Sequence, residues 1–332
     1  MLPTKPIWVW KMKTPFCILL ALALLGQAAA HGADISRTQN RKDFGHFVQE
    51  RMTAAFDREL STTFPCGDRP AYYCGGLMVT AFEQDSLYWT EPNITKLSFT
   101  YFRTDIATEL FGAAGLALWP KAYVDNIFPP YPPGHPPYTA FYRCAFPIDG
   151  LTVQRDDAGC GERYVDDQPV PNTAPCGTIG ITTAQQWLAK YHGTQTNFCG
   201  FALIPGQSTA KQNMDTVIEI ARVLQQKQSE LLLPWNEVVA GPWRGYDAGR
   251  IPVMAFFSVA DNSVTALVRN PKQTVPGKNL NDAQTQQKWY FDLTKIFVPI
   301  VEISAANEGA VFTYRDEDQA AGIPDVVTVF PR

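Results

Sequence analysis

The 332-residue chain reads as an α+β protein whose later half is dominated by strands. Helical periodicity of apolar residues occupies 36–60, 182–192 and 209–228, while short apolar or alternating runs bounded by Gly, Pro and Asn recur from residue 74 onward. No internal repeat of roughly 20–50 residues is present, which removes solenoids and propellers.

In chain order, residues 36–60 place Phe44, Phe47, Val48, Met52 and Phe56 at helical spacing and predict an amphipathic N-terminal helix. "CGGLMVTAF" and "TKLSFTYFR" predict strands on either side of the polar loop "EQDSLYWTEPNI". "AGLALWP" predicts a third, ended by Pro120, which has no N–H for a ladder. "FPPYPPGHPPY" is excluded from helix and inner strand for the same reason and reads as an extended surface excursion. "YTAFYRCAFPI" predicts a strand, Asp149 to Gly180 a cysteine-containing loop region, and "TTAQQWLAKYH" a helix capped by Thr182 or Thr183.

From Thr209 to Gln228, Met214, Val217, Ile218, Ala221 and Leu224 share one helical face. This helix leads into "KQSELLLPW", with an apolar strand expected at the leucines. Further strands are expected at "IPVMAFFSV", "SVTALVR", "IFVPIVEIS", "GAVFTY" and "VVTVF", with a polar insertion near Asn270 to Gln287.

Residues 1–30 have the parts of a secretory leader: Lys5, Lys11 and Lys13, then "FCILLALALLG", then "AAA". Residues 31–332 are therefore expected to form a single secreted or periplasmic domain. No later run approaches the roughly 20 apolar residues a membrane span needs. Of seven cysteines, Cys17 falls in the leader, leaving Cys66, Cys74, Cys144, Cys160, Cys176 and Cys199 for up to three disulfides. They make no CxxC pair and histidine is scarce, so no metal site is predicted. A net charge of −4 without a Lys/Arg cluster argues against nucleic acid as partner.

The residues most suited to chemistry are Gln228 and Glu230. Side chains two apart on a strand share a face, so one carboxylate and one amide would converge on a single spot. A lone ionised carboxylate, shielded from water, stabilises positive charge developing on a sugar ring. On "LSFTYFR", Ser98 and Thr100 likewise share a face. No histidine accompanies a G-x-S-x-G elbow, and neither a P-loop nor a G-x-G-x-x-G opening a βαβ unit occurs. Tyr88, Trp89, Tyr101, Phe102, Trp119 and Tyr123 crowd the first strands, as they would in a core or at a ligand surface.

The Q-x-E step before "LLLP" and the Ser-Phe-Thr strand resemble features of the ADP-ribosyltransferase toxin fold. From Cys74 to Ser304 the chain is similar to the halovibrin group of secreted bacterial proteins, through "CGGLMVTAF", "LSFTYFRTD", "CAFPIDG", "GCGE", "GITTAQQWLAKY", "CGF", "SELLLPW" and "IPVMAFF".

The resemblance implies packed β-sheets with flanking helices and a disulfide-stapled, loop-rich insertion. It implies NAD as substrate, as glycohydrolase or as ADP-ribosyltransferase toward a target protein. In that reading Glu230 stabilises the ribosyl cation, Gln228 orients the acceptor, Ser98 holds Glu230, and Thr100 and Arg103 line the cofactor. The family pattern places a phosphate-gripping Arg on the first strand, where this chain has Thr80; Arg103 and Arg69 are the cations nearest in sequence. The departure at Thr80 keeps a second reading open, a secreted interaction protein on the same fold without turnover.

Overall fold

The computed structural model describes residues 37–57, 66–82, 87–91, 97–106, 109–127, 142–148, 160, 164–165, 168–169, 175–191, 199–203, 209–226, 236–241, 248, 251–269, 275–307 and 309–329. All of these fall in one compact unit, Ser36–Arg332. The expected leader, the proline-rich stretch, the strand expected at residues 231–234, and both Gln228 and Glu230 lie outside the described residues.

Strand β1 (Arg37–Asn40) runs into helix α1 (Arg41–Phe56). Asn40 caps the helix, its side-chain oxygen accepting from the backbone N–H of Lys42 at 2.9 Å and of Asp43 at 3.3 Å. The expected helix thus starts later than residue 36, because its first residues pair with a C-terminal strand. Next come β2 (Leu77–Ala81), β3 (Leu97–Phe102), β4 (Ala114–Leu118), α2 (Lys121–Ile127) and β5 (Tyr142–Phe146). The short β6 (Tyr164–Val165) and β7 (Gln168–Pro169) pair with each other.

Helix α3 (Ala184–Tyr191) opens on a capping box: Thr183 Oγ1 accepts from Gln186 N at 3.2 Å, and Gln186 Oε1 accepts from Thr183 N at 3.1 Å. After it follow β8 (Phe201–Ala202), α4 (Thr209–Gln226), β9 (Glu237–Ala240), β10 (Val253–Val259), α5 (Val264–Leu267) and α6 (Lys278–Thr294). The chain closes with β11 (Ile296–Phe297), β12 (Ile300–Ala306), β13 (Gly309–Tyr314) and β14 (Val326–Val329).

The fold is mixed α+β. Among the described residues, nine strands form one sheet in the order β13-β12-β10-β4-β2-β3-β9-β5-β8, antiparallel throughout except for the β10–β12 pair. A smaller sheet, β1-β14-β11, pairs the first described strand with the last. Register separates the large sheet's faces. Leu77, Val79, Ala117 and Phe257 pack with Phe44, Val48 and Phe56 of α1. Met78, Phe99, Tyr101, Leu116 and Phe256 pack with Trp89 and Tyr290.

Two segments depart from expectation. "SVTALVR" forms the helical turn α5 rather than a strand, because Val264 and Leu267, three apart, both reach the core and only Val268 bridges to Leu110. The expected polar insertion contains α6. Its inward face carries Ala283, Gln286, Gln287 and Tyr290, so hydropathy hides it. Gln287 Nε2 donates to Val298 O and to Gln319 Oε1, both at 2.8 Å, and Gln287 Oε1 accepts from Ala320 N at 2.8 Å. Gln319 in turn accepts from Ile300 N at 2.9 Å and donates to Ile300 O at 3.1 Å. Buried amides are tolerated when both their ends are satisfied in this way.

The six expected cysteines pair as Cys66–Cys74, Cys144–Cys160 and Cys176–Cys199, all among neighbours in sequence. Among the described residues, no helix is long and apolar enough to cross a membrane.

Candidate functional site

Strands β3 and β9 pair antiparallel with Leu97 opposite Ala240, Ser98 opposite Val239 and Phe99 opposite Val238. The same register sets Thr100 against Glu237 and Tyr101 against Asn236. Side chains alternate along each strand, so Ser98, Thr100 and Glu237 share one face, with Ser98 and Glu237 as a diagonal pair. Ser98 Oγ donates to Glu237 Oε1 at 2.5 Å. Glu237 is only 1% exposed and Thr100 2%. A carboxyl group this deeply buried needs hydrogen-bond partners, and the Ser98 hydroxyl supplies one.

Inner-strand placement fixes the carboxylate from both sides, since Glu237 also faces Phe146 of β5 across the ladder. Its neighbour Asn236 adds a side-chain lock. Asn236 Nδ2 donates to Tyr101 O at 2.9 Å while Asn236 Oδ1 accepts from Tyr101 N at 2.8 Å. The amide thus takes the place of a backbone partner one residue before β9 begins. Tyr101 is itself anchored, its hydroxyl donating to Gly75 O at 2.9 Å. Its ring fills the space where a Cβ on Gly76 would sit, 2.2 Å from the nearest ring atom, and Gly76 holds a φ of 74°.

The other residues singled out in the sequence are placed as follows. Thr80 pairs with Leu116 and lies on the face opposite Ser98. The β2 positions that share the Ser98 face are Leu77, Val79 and Ala81, all apolar, so β2 brings no cation to that face. Arg103 closes on Asp105 with both Nε and Nη2, the latter at 2.8 Å, and its Nη1 donates to Tyr101 OH at 3.2 Å. Asp105 also takes Arg222 of α4. Arg69 stacks 3.9 Å from the Tyr73 ring centroid. None of these arginines is shown on the Ser98 face.

Ser98 and Thr100 therefore meet a carboxylate that sequence reading did not select. The Q-x-E step at Gln228 and Glu230, the expected site, lies outside the described residues. The available signal was "NEVVA", an acidic residue heading a short β-branched run just after the turn-like "LPWN". Its brevity hid it.

Nearby phenols are not bases. Burial pushes the Tyr142 hydroxyl far above its ordinary value, with Tyr72 and Tyr101 adding to the effect, and burial raises Tyr72 likewise. Tyr142 faces Ala240 of β9 and meets Tyr72 edge-on at 4.8 Å. Among the described residues, no cluster of three His, Cys, Asp or Glu could hold a metal ion.

No protein-family model matches the chain, and no curated protein or solved structure matches it significantly.

Proposed function

We propose that this is a secreted NAD-consuming enzyme of ADP-ribosyltransferase-like fold, with Glu237 in the role that the sequence pattern suggested for Glu230. The observation that carries the proposal is the Ser98–Glu237 hydrogen bond between adjacent strands, at 2.5 Å. As the nicotinamide-ribose bond breaks, the bonding pair leaves with nicotinamide and the ribose carbon becomes cationic. A carboxylate held by Ser98 stabilises that cation, and water attacks it, giving ADP-ribose, nicotinamide and a proton. A protein nucleophile in place of water would make the same site a transferase. Gln228 retains the acceptor-orienting role in this scheme, and the three disulfides suit an oxidising, extracellular compartment.

A second reading, a non-catalytic interaction protein on the same fold, is favoured by the near-complete burial of Glu237 and by the Arg103–Asp105 clamp. Nicotinamide release from NAD by the oxidised protein separates the two. Release by wild type, lowered at least 100-fold in Glu237→Gln, supports the enzyme. Release unchanged by that substitution but abolished by Glu230→Gln returns the carboxylate to residue 230, and no release at all leaves the interaction protein.

A further inference from the structure

Away from Ser98 and Glu237, four side chains close a ring between helix α1 and the end of β4. The Arg51 guanidinium lies 5.2 Å from the Phe47 ring centroid, Phe47 lies 6.3 Å from Trp119, and Trp119 stacks on Tyr123 at 4.5 Å with 13° between planes. The positive charge of Arg51 also acts on the Tyr123 hydroxyl, lowering it against the upward push of burial. Trp119 is 2% exposed, yet among the described residues its indole N–H meets no acceptor, and the buried Nε–H of Arg51 meets none either. Two donors and a cation thus fall within one connected group of four side chains.

Buried polar groups are almost always satisfied, so orphans that fall together point to something that completes them. An isolated water is a poor answer, since both orphan groups are donors and a buried water needs acceptors for its own hydrogens as well. An oxyanion suits both donors and balances the guanidinium, whose planar N–H edge matches carboxylate or phosphate geometry. Arg51 and Phe47 are only half-buried, so the α1 side of the group reaches solvent.

We propose that Arg51 and the Trp119 indole N–H, walled by Phe47 and Tyr123, form a binding site for a small oxyanion, either free or as the carboxylate or phosphate of a larger ligand. The site is separate from the Ser98–Glu237 pair, so it stands whether or not the chain turns over NAD.

The test titrates the full-length oxidised protein, 15N-labelled at tryptophan indoles, with sodium phosphate and with sodium acetate, using sodium chloride at matched ionic strength as control. Saturable one-to-one binding is expected, with one indole N–H resonance moving. That resonance is missing in Trp119→Phe, which keeps a ring and removes the donor, and Arg51→Gln weakens binding at least 10-fold. Saturation by phosphate alone identifies a phosphate group, and by acetate alone a carboxylate; each supports the site. The proposal is overturned if neither anion moves an indole resonance beyond the chloride control, or if both variants bind like wild type. Should Arg51→Gln fail to fold, Trp119→Phe decides the matter: the proposal stands if the moving resonance vanishes with the substitution, and is overturned if that resonance is still present and still moves.

Discussion

Asn236 holds Tyr101 by both polar groups of its backbone, donating to the carbonyl at 2.9 Å and accepting from the N–H at 2.8 Å. A side chain thereby does the work of a strand, and the carboxylate of Glu237 begins where that lock ends. Position at the candidate site is consequently set by an amide that no catalytic motif contains.

Replacing Asn236 with Ala leaves the Tyr101 N–H and C=O without these partners in a buried setting. With about 1–3 kcal/mol for each orphaned group, a loss of about 2–6 kcal/mol is expected in urea unfolding. Asn236→Asp keeps the acceptor and loses the donor, adding a buried charge, and is expected to be no better than Ala.

Ser98→Ala removes a hydroxyl bond to a buried carboxylate. Bonds to charged groups contribute about 1.5–3 kcal/mol, and a loss of that size is expected. Ser98→Thr keeps the hydroxyl and is expected to recover most of it. If both variants unfold alike, the hydroxyl is not what supports Glu237.

Gln287→Leu preserves bulk while stripping the bonds to Val298, Gln319 and Ala320. The expected outcome is destabilisation of about 2–4 kcal/mol, since several buried groups lose their partner at once. Hydrogen exchange should rise at Ala320 N–H, which donates to Gln287, more than at the centre of β10.

Acid should loosen the junction between α1 and the turn after β13. The Asp316 carboxyl is held below its ordinary value chiefly by the Arg41 hydrogen bond, and the Tyr314 hydroxyl donates to it at 2.8 Å. A depressed folded-state pKa contributes stability above the unfolded value of about 3.9, and that stability is lost as pH falls through the folded value. Asp318 acts with the opposite sign, because burial raises it. Subtracting Asp316→Asn from wild type isolates the first effect: the stability gap is expected to be full at about pH 6 and to close toward about pH 3.

Selective removal of disulfides should follow loop length. The Cys176–Cys199 bridge spans 23 residues and Cys66–Cys74 spans 8. Chain-entropy reasoning makes paired Ser substitution of the longer loop costlier by about 1 kcal/mol in thermal unfolding.

Much of the architecture was legible where pattern and environment agree. Met214, Val217, Ile218 and Leu224 repeat at helical spacing and all are buried on α4. Thr183, one of the two expected caps, does cap its helix, and the run from Val253 to Val259 is a fully buried strand as its apolarity implied. Reading failed at α6, whose core-facing Gln286 and Gln287 look like surface residues until their partners are known, and at α5, where tertiary packing overrode the β-preference of Val and Thr. Ser98 and Thr100 could be chosen from their strand, but their carboxylate partner could not: Glu237 stands 139 positions from Ser98, and only sheet order puts β9 beside β3.

By itself the sequence determined the class, the main helices and strands, the cysteine supply and the alternation that aims Ser98 and Thr100 the same way, because each follows from local geometry and side-chain chemistry. Tertiary structure alone decided that Thr80 faces away from Ser98, that Arg103 is claimed by Asp105, and that Glu237 receives the Ser98 hydroxyl. Those are matters of register and strand neighbours, and a strand's pairing partner is selected by the packing of the whole sheet rather than by the strand's own residues.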